Sequence, residues 1–241
     1  MDTGIIYNID CLEGLRSLPD NSIDLIVTSP PYNKGAVSYQ GDRTKYGIKD
    51  IPDYGDYDDT MTPEQYEQWQ KDIITECLRV LKPTGSLFYN HKEQYRKFKA
   101  IFPTFIYDFP VRQTIIWDKK KAFSGARSYF APSIEFIFWI GGADAYFDKG
   151  SAIHQKQIWT VFPKKETNHP APFPIELPEN CILACSKEGD IVLDPFMGSG
   201  TTALAAKKNN RQYIGFELNK DFIDKANERL HNIGPSDCCW I

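Results

Sequence analysis

Asp190-Ile191-Val192-Leu193-Asp194-Pro195-Phe196-Met197-Gly198-Ser199-Gly200-Thr201-Thr202 is the stretch that decides the fold class. Asp190–Leu193 is a short apolar run of the kind that forms a buried parallel strand. Gly198 and Gly200 let the backbone turn tightly and approach a ligand closely. An Ala-rich helix runs from there to about Asn209. Gln212–Phe216 is the next strand, closing on Glu217, and a last helix covers about Lys220 to Asn232. Strand, glycine turn, helix, strand and acid form the nucleotide-binding unit of open α/β sheets. Its acid stands where ribose hydroxyls can donate to it.

The glycine spacing is Gly-Ser-Gly, without the third glycine of the dinucleotide fingerprint. The carboxylate of Asp194, at the mouth of the turn, would repel the oxygens of a pyrophosphate. A cationic or zwitterionic nucleoside fits better. S-adenosylmethionine, with a ribose, a sulfonium and an α-amino group, is the candidate. A turn that merely starts a helix is the plainer alternative for this stretch alone.

A second stretch is as unusual. Ile23–Val27 reads as a buried parallel strand, and it ends in Thr28-Ser29-Pro30-Pro31-Tyr32-Asn33. Two prolines remove two backbone donors, so the strand cannot pair further. The Ser29 and Pro30 carbonyls are left without ladder partners at the carboxyl end of the strand, where ligands sit in open α/β sheets. A hydroxyl, free carbonyls and an aromatic ring make a stiff shelf for a flat substrate with an amine.

Between these motifs, Gly4–Ile9 is a first strand. Asp10, with Glu13 three residues on, opens a short helix as its cap. Lys34–Met61 is long, polar and without period, and a lid over a bound substrate is its sharper reading. Thr62-Pro63-Glu64-Gln65 starts a helix to about Leu81. Ser86–Tyr89, Phe105–Trp117 and the nearly all-apolar Ser133–Ile140 are strands. Gly141–Lys165 is irregular, and a helix is expected near Ile175–Ser186.

The chain has 241 residues, 41% of them hydrophobic, enough for one large domain with a full core. No apolar run reaches membrane-span length and no signal peptide opens the chain, so a soluble, cytoplasmic protein without membrane contact is expected. The six cysteines (Cys11, Cys77, Cys181, Cys185, Cys238, Cys239) lack metal-ligand spacing, so free thiols and no metal are expected. The net charge of −4 argues mildly against a nucleic acid partner. Yet Arg112–Lys165 holds nine basic residues against four acidic ones, a local basic face compatible with a phosphate backbone.

Taken together, Asp194–Thr202 and Thr28–Tyr32 resemble the cofactor and catalytic motifs of amino-group DNA methyltransferases. The catalytic motif comes first and the cofactor motif last, as in the circularly permuted β class. Asp10-Cys11-Leu12 resembles the segment that contacts the cofactor's adenine. Leu81–Ser86 resembles the family's helix-to-strand turn, and His169–Pro174 the segment near the methionine end. The resemblance implies a Rossmann-like α/β fold: a doubly wound, mostly parallel seven-stranded sheet, circularly permuted, with a C-terminal antiparallel hairpin element, all in one methyltransferase domain over residues 1–241. It implies a cofactor site of Asp10, Thr28, His169, Asp194, Pro195, Phe196, Gly198, Ser199, Gly200, Thr201 and Glu217 for S-adenosylmethionine. It implies a catalytic site of Ser29, Pro30, Pro31 and Tyr32. The target-recognition region, residues 141–168, is short.

The implied reaction moves a methyl group to the exocyclic amine of a base flipped out of double-stranded DNA. Ser29 Oγ and the Pro30 carbonyl each accept one amine N–H, turning the nitrogen lone pair toward the methyl group, and Tyr32 stacks on the base. Ser29 leans the reading to cytosine N4, with adenine N6 as the alternative. A non-catalytic cofactor- and DNA-binding subunit is the alternative of another class. Lys119, Lys120, Lys121 and Arg127 are the expected DNA contacts. A cognate restriction endonuclease, and a monomer or a homodimer, are left open.

Overall fold

The computed structural model describes residues 1–33, 61–96, 99–120, 130–150, 156–162 and 173–232. In chain order the elements are β1 (Ile5–Asn8), α1 (Cys11–Ser17), β2 (Ile23–Thr28), α2 (Pro63–Val80), β3 (Leu81–His91) and the short ribbon β4 (Gln94–Arg96) and β5 (Lys99–Ile101). A 3-10 turn at Thr104–Asp108 leads into β6 (Val111–Asp118), β7 (Ile134–Ile140) and β8 (Ile158–Thr160). The chain continues through α3 (Glu176–Cys185), β9 (Ile191–Asp194), α4 (Thr201–Lys208), β10 (Gln212–Glu217) and α5 (Lys220–His231).

The main sheet runs β1-β10-β9-β2-β3-β7-β6-β8. The five strands from β1 to β3 are mutually parallel, and β7 is antiparallel to both β3 and β6. Strand β2 shows why the sheet is covered on both faces. Ile23 and Ile26 enter one apolar cluster with Ile73, Ile74 and Cys77 of α2. Leu25 and Val27 enter another with Leu177, Cys181 and Ile182 of α3 and Ala205 and Ala206 of α4. A strand buried on both faces is mostly apolar, and four of the six residues here are; Asp24, paired with Lys82, and Thr28, at the tip, are the exceptions.

Local sequence sets the helix starts. Asp10 accepts hydrogen bonds from the backbone N–H groups of Leu12 and Glu13 at the start of α1. Thr62 and Gln65 form a reciprocal capping box, with Pro63 at the first position of α2. The four described cysteines, Cys11, Cys77, Cys181 and Cys185, are free thiols buried in the core. Among the described residues no helix is long and apolar enough to cross a membrane.

Three features depart from the sequence expectation. Among the described residues the sheet has eight strands where seven were expected, because the three residues of β8 pair parallel to the edge of β6 within the stretch expected to be irregular. The antiparallel hairpin is not C-terminal: it is β6–β7, in the middle of the chain, and the C-terminal elements belong to the parallel half of the sheet. The strand expected from Phe105 begins only at Val111, because residues 104–108 wind as a 3-10 turn that buries Phe105 and Ile106.

Gly200 is required by geometry. It takes a left-handed φ of +82° ahead of α4, and a Cβ there would lie 2.7 Å from the Ala226 Cβ of α5. Both strain and contact oppose a side chain. Gly200→Ala is expected to cost about 1–3 kcal/mol, several degrees in the thermal midpoint by calorimetry.

Candidate active site

The two sequence motifs meet. β2 and β9 are neighbours, with Leu25 opposite Val192 and Ile26 opposite Leu193, so their carboxyl ends emerge together. From this pair β10 and β1 extend the sheet one way and β3 the other. That is the topological switch point, where open α/β sheets leave a crevice.

Asp194 joins the two ends. Its Oδ1 accepts from the Thr28 hydroxyl at 2.7 Å and the Phe196 N–H at 3.0 Å, and its Oδ2 accepts from the Thr202 hydroxyl at 2.7 Å. The residue is only 5% exposed. Burial pushes its carboxyl up to about 6, against the pull of those three donors. Its Oδ2 has room for one more donor.

Glu217, at the tip of β10, anchors the glycine turn. Its Oε2 accepts from the Gly198 N–H and its Oε1 from the Asn219 N–H, both at 2.8 Å. Each oxygen keeps a lone pair for a further donor. Burial raises this carboxyl too, opposed by backbone N–H donors. Arg229 of α5 clasps the same turn, donating to the Ser199 carbonyl at 2.6 Å. Trp69 of α2 meets Phe196 edge-on, centroids 5.7 Å apart.

The shelf carries a polar network. Ser29 Oγ and Tyr32 Oη are 3.0 Å apart. Asn90 Nδ2, at the end of β3, donates to Tyr32 Oη at 2.7 Å and to Glu135 Oε2 at 2.9 Å, and lies 3.2 Å from Ser29 Oγ. The Tyr32 hydroxyl donates to Glu135 Oε2 at 3.3 Å. The Lys119 ammonium lies 3.0 Å from Glu135 Oε1. Burial alone would raise the Glu135 carboxyl. The Lys119 and Lys92 ammonium groups and the Asn90 and Lys119 hydrogen bonds outweigh it and hold the carboxyl below its ordinary value.

A second chain fixes the prolines. His91 Nδ1 lies 2.9 Å from both the backbone nitrogen and the carbonyl oxygen of Lys92. Nε2 lies 2.9 Å from Tyr66 Oη, and the Tyr66 hydroxyl donates to the Pro31 carbonyl at 2.9 Å. Burial lowers His91 to about 4, so the ring is neutral at pH 7. Asn33 Nδ2 donates to the Met61 carbonyl at 2.8 Å beside the shelf.

The expected residues thus fall into groups. Thr28, Asp194, Pro195, Phe196, Gly198, Ser199, Gly200, Thr201 and Glu217 surround the glycine turn, next to Ser29, Pro30, Pro31 and Tyr32 on the shelf. Asp10 lies just past β1, whose Asn8 is opposite Glu217, and its carboxylate caps α1. Tyr32 is 9% exposed, with His91 against its ring and the Lys92 ammonium 5.0 Å above it. Lys119 is held by Glu135, and Lys120 is half-exposed with its ammonium 3.5 Å from Asp118. His169, Lys121 and Arg127 lie outside the described residues, as do residues 34–60 of the expected lid and residues 151–155 and 163–168 of the expected target-recognition region. Asn90, Glu135, Tyr66 and His91 were not anticipated. One signal was present: Glu135 is the lone acid in an otherwise apolar strand.

The sequence profile described as DNA methylase, of the N6/N4 type, matches residues 23–228. The chain belongs to this family of DNA methylases. Type II methyltransferase M.BglII of Bacillus subtilis is 30% identical over 264 residues, covering 93% of this chain and 68% of that protein. The solved structure of PvuII DNA methyltransferase (cytosine-N4-specific) shares the fold, with a TM-score of 0.77 at 22% identity over 99% of this chain and 90% of that one. M1.HpyAVI in complex with SAM gives 0.64 at 25% identity, over 93% and 98%. This DNA methylase is therefore an amino-group DNA methyltransferase by family, with the α/β sheet of its relatives.

Because burial raises the Asp194 carboxyl in the folded state, its contribution to stability is greatest below the ordinary aspartate range. That contribution is lost as pH rises through about 6. Asp194→Asn removes the titration. Its thermal midpoint, relative to the unaltered chain, is expected to climb between about pH 4 and pH 7; a difference that does not vary with pH would contradict the assignment.

Proposed function

We propose that this enzyme methylates the N4 amine of a cytosine flipped out of duplex DNA. The observation that carries the reading is the Thr28–Asp194 hydrogen bond of 2.7 Å, which sets the glycine turn beside the serine-proline shelf. S-adenosylmethionine is the cofactor and supplies an electrophilic methyl group when bound. The free lone pairs of Glu217 and Asp194 suit hydroxyl and ammonium donors, and a cationic group suits two neighbouring acids better than a pyrophosphate does. Asp10, Thr28, the turn residues Pro195, Phe196, Gly198, Ser199, Gly200 and Thr201, and His169 complete the cofactor set in this reading.

An exocyclic amine is a poor nucleophile because its lone pair is delocalised into the ring. Ser29 Oγ and the Pro30 carbonyl draw off one N–H each, and Tyr32 flanks the base. Positioning and charge stabilisation do the catalysis, since a serine hydroxyl is a weak base at neutral pH. Base flipping costs a few kcal/mol, repaid by contacts in the pocket. Ser29 at the head of the motif favours cytosine over adenine. Lys120, Lys121 and Arg127 contact phosphates of the DNA backbone.

Ser29→Ala is expected to bind cofactor normally by calorimetry and to lose about 10²-fold or more in methyl transfer. Mass spectrometry of nucleosides from the treated DNA should find N4-methylcytosine; N6-methyladenine alone would overturn the choice of base. Replacing Lys120, Lys121 and Arg127 together by alanine should lower the slope of log affinity against log salt by up to about 3, in a filter-binding titration.

A further inference from the structure

We infer that Glu135 is a positioning residue that sets the direction of the shelf's hydroxyl chain and receives the proton released by the methylated amine. The inference rests on the proposed role of Ser29 and deepens it. A carboxylate only accepts hydrogen bonds. With the Tyr32 hydrogen directed to Glu135 Oε2 at 3.3 Å, the hydrogen between Ser29 Oγ and Tyr32 Oη, 3.0 Å apart, belongs to Ser29. Ser29 Oγ is thereby left as an acceptor. One lone pair faces the long Asn90 contact of 3.2 Å, and the other is available to an amine N–H. Asn90, 1% exposed, directs its two amide hydrogens to Tyr32 Oη and Glu135 Oε2, with Ser29 Oγ at the longer distance of 3.2 Å, and keeps the three oxygens within reach of one another.

The same chain can carry a proton away. Once the nitrogen–carbon bond has formed and the sulfur–carbon bond has broken, the amine nitrogen is cationic and must lose one hydrogen. That N–H bond breaks as an O–H bond forms at Ser29 Oγ. The Ser29 hydrogen passes to Tyr32 Oη and the Tyr32 hydrogen to Glu135 Oε2. Glu135 becomes a carboxylic acid and later releases its proton to water. No oxidant or co-reactant is needed. The groups facing Glu135 are Lys119 after β6, Lys92 and His91 at the end of β3, and the Tyr32 hydroxyl. Lys119 and Lys92 keep the carboxylate ionised and ready to accept.

Single-turnover transfer from tritiated S-adenosylmethionine to unmodified DNA, both saturating, tests this. Glu135→Gln is expected to keep its cofactor affinity within about threefold by calorimetry while slowing methyl transfer by about 10², with Glu135→Asp recovering part of the loss. Lys119→Met keeps the carboxylate and removes its counter-ion. It should move the acid limb of the rate upward in pH, together with the Glu135 carboxyl titration read by carbon-13 NMR. Glu135→Gln at the unaltered rate, or Lys119→Met with its acid limb unmoved, would overturn the inference. If the unaltered chain transfers no methyl group to any DNA, the proposed function itself falls. If transfer needs Ser29 and ignores Glu135, that function stands and only this inference is lost.

Discussion

A buried carboxylate holds this molecule's chemistry in place. Asp194 would be costly to remove from water if it were unpaired, but two threonine hydroxyls and one backbone N–H satisfy it. The threonines come from different places: Thr28 ends β2, and Thr202 lies in the first turn of α4. One side chain therefore fastens the tip of the shelf strand to the tip of the turn strand and to the helix that follows. Any change in this cluster alters the separation between the two halves of the site.

From that fastening the rest of the site is ordered by the sheet. Moving across the strand tips from β1 to β6, the chain presents Asp10, Glu217, Asp194, Ser29, Asn90, Glu135 and Lys119. The first three face the nucleotide end in the proposed reading, and the last four form one polar network. The reversal of β7 matters here. Because it is antiparallel, its amino end, with Glu135, comes to the edge where the parallel strands end. Two of its neighbours, Asn90 and Lys119, then reach it from opposite sides.

What could be read in the sequence was what short range decides. The caps at Asp10 and Thr62, the glycine turn and the proline-terminated strand are each set by neighbours a few positions away, and each is where its local chemistry required. Glu135 and Asn90 were not legible as a pair, because 45 positions separate them and only the β3–β7 register brings them together. Strand β8 was missed for a related reason. Three residues carry no period, and their extended form depends on the open edge of β6. Lys119 looked like one more member of a basic run, and nothing local distinguishes it from Lys120. The difference is an acid contributed by the opposite strand of the hairpin.

The hydrogen bond from Asn33 to the Met61 carbonyl joins two points 28 positions apart, at the foot of the shelf. A stretch of chain whose ends are clamped this way is thermodynamically insulated. Lengthening it adds only a slowly growing closure entropy, roughly 0.6 kcal/mol for each doubling. The entropic cost of a longer sequence between these two anchors is therefore small beside the hydrogen bonds that hold Tyr32 in the shelf.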